Sequence, residues 1–91
     1  MTMPVFAKDP NATLDYQLDW ASWLGATDTI SSATWTVPEG ITQVLATDTD
    51  TTATIWLSGG TAGASYEVVC RVVTTEGRTD DRTITIHLTD K

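Results

Sequence analysis

Apolar and polar residues alternate with period two along several short stretches, the pattern of strands that bury one face. Leu14, Tyr16, Leu18 and Trp20 alternate with Asp15, Gln17 and Asp19, giving one apolar and one largely acidic face. Ala21 to Gly25 breaks the alternation, as a single helical turn or a loop ending at the glycine. Ala33, Trp35 and Val37 alternate with Thr34 and Thr36 until Pro38-Glu39-Gly40 stops the strand. A weaker strand spans Ile41 to Ala46 and is closed by the polar run Thr47 to Thr51. Ala53, Ile55 and Leu57 then alternate with Thr54, Trp56 and Ser58 up to Gly59-Gly60.

Beyond the turn at 59–63, Tyr66, Val68, Cys70 and Val72 alternate with Glu67, Val69, Arg71 and Val73. Glu76-Gly77 marks a hairpin tip. In the last strand Ile84, Ile86 and Leu88 lie on one side and Thr83, Thr85, His87 and Thr89 on the other. Val5-Phe6-Ala7 adds a short edge strand, within an N-terminal arm of about ten residues. About seven strands with turns every eight to twelve residues predict an all-β fold, an antiparallel immunoglobulin-like sandwich in one domain over residues 1–91. The parity places Tyr16, Leu18, Trp20, Trp35, Ile55, Leu57, Tyr66, Val68, Cys70, Val72, Ile84 and Ile86 between the sheets. Each large apolar side chain so buried stabilises the fold by roughly 1.5–3 kcal/mol.

Composition reinforces this. Nineteen of the 91 residues are threonine, whereas lysine and glutamate together number five. Threonine is β-branched and fits a pleated surface better than a helix. Its hydroxyl keeps the solvent face of a strand polar without adding charge. The net charge of −7 argues against nucleic-acid binding, which needs clustered basic residues to displace counterions from phosphates. No apolar run approaches the ~20 residues of a membrane-spanning helix, and no signal-peptide core follows Met1. A lone cysteine excludes an internal disulfide, and a lone histidine excludes a multi-histidine metal site.

The residues offer little catalytic chemistry. His87, the one candidate base, sits on a threonine-lined strand face, where solvent exposure is the expectation. Cys70, between Val68 and Val72, reads as a small buried hydrophobe. The carboxylate pairs Asp48/Asp50 and Asp80-Asp81 fall in predicted turns, where aspartate caps backbone groups; a calcium site there would lack the EF-hand ligand order. Gly59-Gly60-Thr61-Ala62-Gly63 has no lysine after it and joins two strands, so it is a turn and no phosphate loop. We therefore expect no cofactor, no metal and no enzyme.

Surface candidates remain. With Ile55 and Leu57 inward, Trp56 points outward, either beneath a loop or as a protein-binding anchor. Val69 and Val73 share the outward parity of their strand. In Gly77-Arg78-Thr79-Asp80-Asp81-Arg82 the arginines and aspartates pair locally in a solvated hairpin or form a polar recognition edge. Trp23, Trp56, Val69, Val73, Arg78, Asp80, Asp81 and Arg82 are thus the candidate interface residues.

Tyr66-x-Val68-x-Cys70-x-Val72, with Gly63 before and Gly77 after it, resembles the F strand of fibronectin type III domains. In that family the tyrosine hydrogen-bonds back to the preceding corner. Leu18-x-Trp20 is similar to the B strand of the same fold. A wider resemblance runs through Lys8 to Tyr16, Asp19 to Leu24, Thr29 to Pro38, Trp56 to Gly63 and Gly77 to Arg82. These blocks resemble the small fibre–tail adaptor proteins encoded among structural genes of tailed bacteriophages and prophages. The resemblance implies a virion component made in the bacterial host cytoplasm, which joins a tail or neck protein to a fibre. Its implied partners are other virion structural proteins, with self-association in a symmetric assembly a further option; a capsid decoration protein and a host-glycan-binding module are the alternatives.

Overall fold

The computed structural model describes residues 5–89. Seven strands and one helical turn follow in the order β1 (Val5–Lys8), β2 (Leu14–Asp19), α1 (Ala21–Leu24), β3 (Ile30–Thr36), β4 (Ile41–Asp48), β5 (Thr52–Gly59), β6 (Ser65–Thr74) and β7 (Thr79–Leu88). They form a four-stranded sheet, β1-β7-β6-β3, and a three-stranded sheet, β2-β5-β4. The result is an immunoglobulin-like sandwich, and its one cysteine is free and buried. All pairings are antiparallel except β1, which runs parallel to β7 with Phe6 opposite Ile86. Local alternation cannot reveal that orientation, because β1 and β7 lie at opposite ends of the chain. The first four residues of the expected N-terminal arm lie outside the described residues.

The core fills the space between the sheets. Tyr16 and Leu18 of β2, Ile41 of β4, and Ala53, Ile55 and Leu57 of β5 face Trp35 of β3, Val68, Cys70 and Val72 of β6, and Ile84, Ile86 and Leu88 of β7. Trp20 and Leu24 close one end of this layer. Of the residues expected inside, Tyr66 is only half-buried. It packs at the core margin because its hydroxyl has a task at the surface: the backbone N–H of Thr61 donates to Tyr66 Oη at 3.1 Å. This ties β6 to the turn before it, as the fibronectin type III resemblance implied.

The segment after β2 is a helical turn. The N–H groups of Trp23 and Leu24 both donate to the Trp20 carbonyl, and Asp19 Oδ1 accepts from Ala21 N–H. The N–H of Trp20 in turn donates to Thr51 O at 2.8 Å, fixing α1 to the β4–β5 connection. That connection is tighter than the polar run suggested. β4 continues to Asp48, opposite Ala53, and Thr49 Oγ1 accepts from Thr52 N–H at 3.0 Å to close the turn.

Lys8 is fully buried. Its Nζ donates to the carbonyls of Asp9 (2.9 Å) and Gly59 (2.8 Å), so the ammonium caps backbone oxygens between the two sheets. Burial pushes its pKa below the usual lysine value, against the opposing pull of Asp9.

Candidate protein interface

The outward face of the three-stranded sheet follows from strand parity. Trp56 lies in register between Asp15 of β2 and Leu45 of β4, forming one row across the sheet. The pairing of β4 with β5 slips between Gln43 and Leu45, leaving Val44 as an extra residue. Such a bulge interrupts the alternation, and both Val44 (56% exposed) and Leu45 (52%) face water beside Trp56 (36%). Sequence reading singled out Trp56 and missed its two neighbours. The signal available was the consecutive Val44-Leu45 pair, since strict alternation can bury only one of two adjacent residues.

Val69 and Val73 lie on the opposite side of the molecule, outward on β6, so they form no common patch with Trp56. Val69 sits between Thr83 and Thr36, and Val73 between Thr79 and Ser32. Between them Arg71 binds Asp81 of β7 with two hydrogen bonds, Nε to Oδ1 at 2.7 Å and Nη2 to Oδ2 at 3.0 Å. The bond from Arg71 holds the Asp81 carboxyl below its usual pKa. Both side chains are largely solvated, so the pair stabilises the fold weakly.

Within residues 77–82 the arginines and aspartates do not pair with one another, as Asp81 is taken by Arg71 of β6. Arg78 instead binds Asp28 on the adjoining loop before β3, with Nε 3.1 Å and Nη2 3.0 Å from Oδ2. Its Nη2 also donates to Leu24 O at 2.8 Å, and its guanidinium lies 4.5 Å above the Trp23 ring. Arg82 covers the Trp20 ring at 4.1 Å and donates to Asp19 O. Asp81 belongs to Arg71, and Asp80 Oδ1 accepts from the N–H of Asp81. Trp23 packs edge-on against Trp20 with ring centroids 5.4 Å apart. Trp23, Arg78 and Arg82 therefore fasten α1 to the hairpin, an arrangement that sequence spacing could not show because the partners lie some fifty residues apart.

Asp28 is the centre of this knot and is buried. Its Oδ1 accepts from Thr29 N–H, Thr75 Oγ1 and Glu76 N–H. Burial alone would raise its pKa, but hydrogen bonds from Thr74, Arg78, Thr75 and the Glu76 backbone outweigh it and lower the pKa to about 2 from 3.8. A carboxylate stabilised in this way supports the fold fully above pH 3.8 and loses its contribution as pH falls towards 2. Urea denaturation from pH 5 to pH 2 should show the midpoint of the natural protein falling across this window. Asp28→Asn should lie below it at the pH 5 end and converge with it at the acid end; parallel curves would remove Asp28 from the account.

Burial pushes the Cys70 thiol up to about 12, which leaves it protonated and unreactive at neutral pH. His87 Nδ1 and Ser65 Oγ are 2.8 Å apart as cross-strand partners on an exposed face. Among the described residues, no group of three or more His, Cys, Asp or Glu side chains is placed to hold a metal ion. No helix among the described residues is long and apolar enough to cross a membrane.

Comparison with known proteins agrees with the architecture. The solution structure of the PKD domain from KIAA 1837 protein superposes with a TM-score of 0.56 at 14% identity, covering 98% of this chain and 81% of that one. This likeness concerns the fold alone. No curated protein matches by sequence. The family model of the podophage GP4 fiber-tail adaptor protein gp77 matches residues 8–87, nearly the whole described chain. On that match, the chain belongs to the podophage GP4 fiber-tail adaptor protein gp77 family, a phage structural adaptor built on an immunoglobulin-like sandwich.

Proposed function

We propose that this protein is a non-enzymatic virion component that joins a tail or neck protein to a fibre through protein–protein contacts. The family match over residues 8–87 carries this reading. The sandwich supports it by offering two outward faces of different chemistry on opposite sides, as a connector between two unlike proteins requires. One bears Trp56, Leu45 and Val44; the other bears Val69, Val73 and the Arg71–Asp81 pair in a field of threonines. The protein is made in the bacterial cytoplasm and enters the particle during assembly.

Phage particles assembled without the gene provide the test. They should contain tail and neck proteins in normal amounts and lack the fibre, by electron microscopy and by protein composition. Fully fibred particles with unstable heads would instead identify a capsid decoration protein and reject the adaptor role.

A further inference from the structure

Two strands border the side of the sandwich where β3 turns into β4, and among the described residues neither has a pairing partner on its outer side. Natural edges are protected by charge, proline, shortness or a bulge. Ile41 to Thr47 carries no charged residue and no proline over most of an eight-residue strand. Its one protective feature is the bulge at Val44, which also brings Val44 and Leu45 to the surface beside Trp56. β3 is equally uncharged, but it exposes Ser32, Thr34 and Thr36, which offer no apolar anchor. Of these two edges only that of β4 combines unpaired backbone with exposed large apolar side chains. It exposes two adjacent ones, whereas the edge strands β1 and β2 on the other side expose one each, Val5 and Leu14.

Charge then selects the occupant. From Asp9 through Cys70 the chain contains no lysine, arginine or histidine. Glu39 precedes β4, Asp48 ends it and Asp50 follows, so both ends of the strand are acidic. Asp15 lies in the Trp56–Leu45 row. The three arginines are engaged elsewhere: Arg71 with Asp81, Arg78 with Asp28, and Arg82 over Trp20. A second copy adding its own β4 here would set acidic ends against acidic ends, a juxtaposition that disfavours pairing.

Building on the adaptor reading, we propose that the free edge of β4 docks an extended segment of another virion protein. That segment adds a strand to the three-stranded sheet, seats an apolar side chain against Val44, Leu45 and Trp56, and carries lysine or arginine at both ends. Backbone hydrogen bonds supply the pairing, the apolar cluster fixes the register and the charges select the partner.

A Thr/Val-alternating peptide about ten residues long, the span from Glu39 to Asp48, and bearing lysine at both termini, serves as the probe. Added to the isotope-labelled full chain, it should shift the amide resonances of Ile41 to Asp48 and the Trp56 indole. Salt should weaken the binding. Leu45→Lys, a substitution at an exposed position, should weaken it about tenfold or more while leaving the melting curve unchanged. Thr34→Lys on β3 should have no effect.

Shifts confined to the four-stranded sheet, equal binding of a glutamate-ended peptide, or no shift in β4 at millimolar peptide would overturn the proposal. Concentration-dependent shifts of the β4 amides without peptide would also overturn it, naming a second copy as the occupant. In phage, fibres present on Leu45→Lys particles but absent from gene-deleted ones would reject the β4 assignment and leave the adaptor reading intact. Fibres present on gene-deleted particles would reject the adaptor reading itself.

Discussion

A Trp20→Ala variant should lose about 3–5 kcal/mol of folding stability, against the ~5–15 kcal/mol typical of a whole domain. Trp20 has no exposed surface, and its ring is held between the Arg82 guanidinium and the edge of Trp23. Its removal opens a cavity at the end of the core and strips Arg82 and Trp23 of the surface they pack on. The backbone bonds that attach α1 to Thr51 and close the helical turn remain chemically available, so the loss reports packing and not capping. Guanidinium denaturation followed by tryptophan fluorescence measures it. A loss below about 1 kcal/mol would mean that this end of the sandwich closes without the indole.

Gly60→Ala should cost about 2–5 kcal/mol, the sum of backbone strain and overpacking. Gly60 has φ +98°, and a Cβ there would stand 2.7 Å from Leu88 Cγ and 2.8 Å from Cδ1. Leu88 has little freedom to retreat. Its side chain is fully buried, its N–H donates to Ala64 O, and its carbonyl accepts from Gly63 N–H. Gly63→Ala is the internal control, because φ is +86° there but the added Cβ meets nothing within 4 Å. Gly63→Ala should therefore show only the strain component in thermal melting. Equal losses at the two positions would show that the clash with Leu88 contributes nothing.

The strands were legible because period-two alternation is a local property. Tyr16 and Leu18, Ile55 and Leu57, and Ile84 and Ile86 each report which face is buried within a few residues. The outward direction of Trp56 follows from its two inward neighbours by the same logic. Val44 and Leu45 were not legible as a surface cluster, since the bulge that exposes both is a property of the β4–β5 pairing. Local reading also erred on the 77–82 hairpin, where proximity in sequence pointed to internal ion pairs. Arg78 is better served by the buried carboxylate of Asp28 on the adjoining loop, far away only in sequence, because a charge-assisted bond shielded from water is stronger than one on a solvated turn.

The order of amino acids thus determined the all-β class and the strands, through steric preference and alternation acting over a few residues, while the tyrosine tie at Tyr66 followed from the resemblance to fibronectin type III domains. Tertiary structure decided the parallel seating of β1 on β7, the burial of Lys8, the Asp28 knot and the opposite placement of Trp56 and the Val69–Val73 face. Those features depend on which distant segments meet once two sheets close on a shared core. Only that closure removes water from some polar groups and sets the exposed Val44 and Leu45 of β4 beside Trp56.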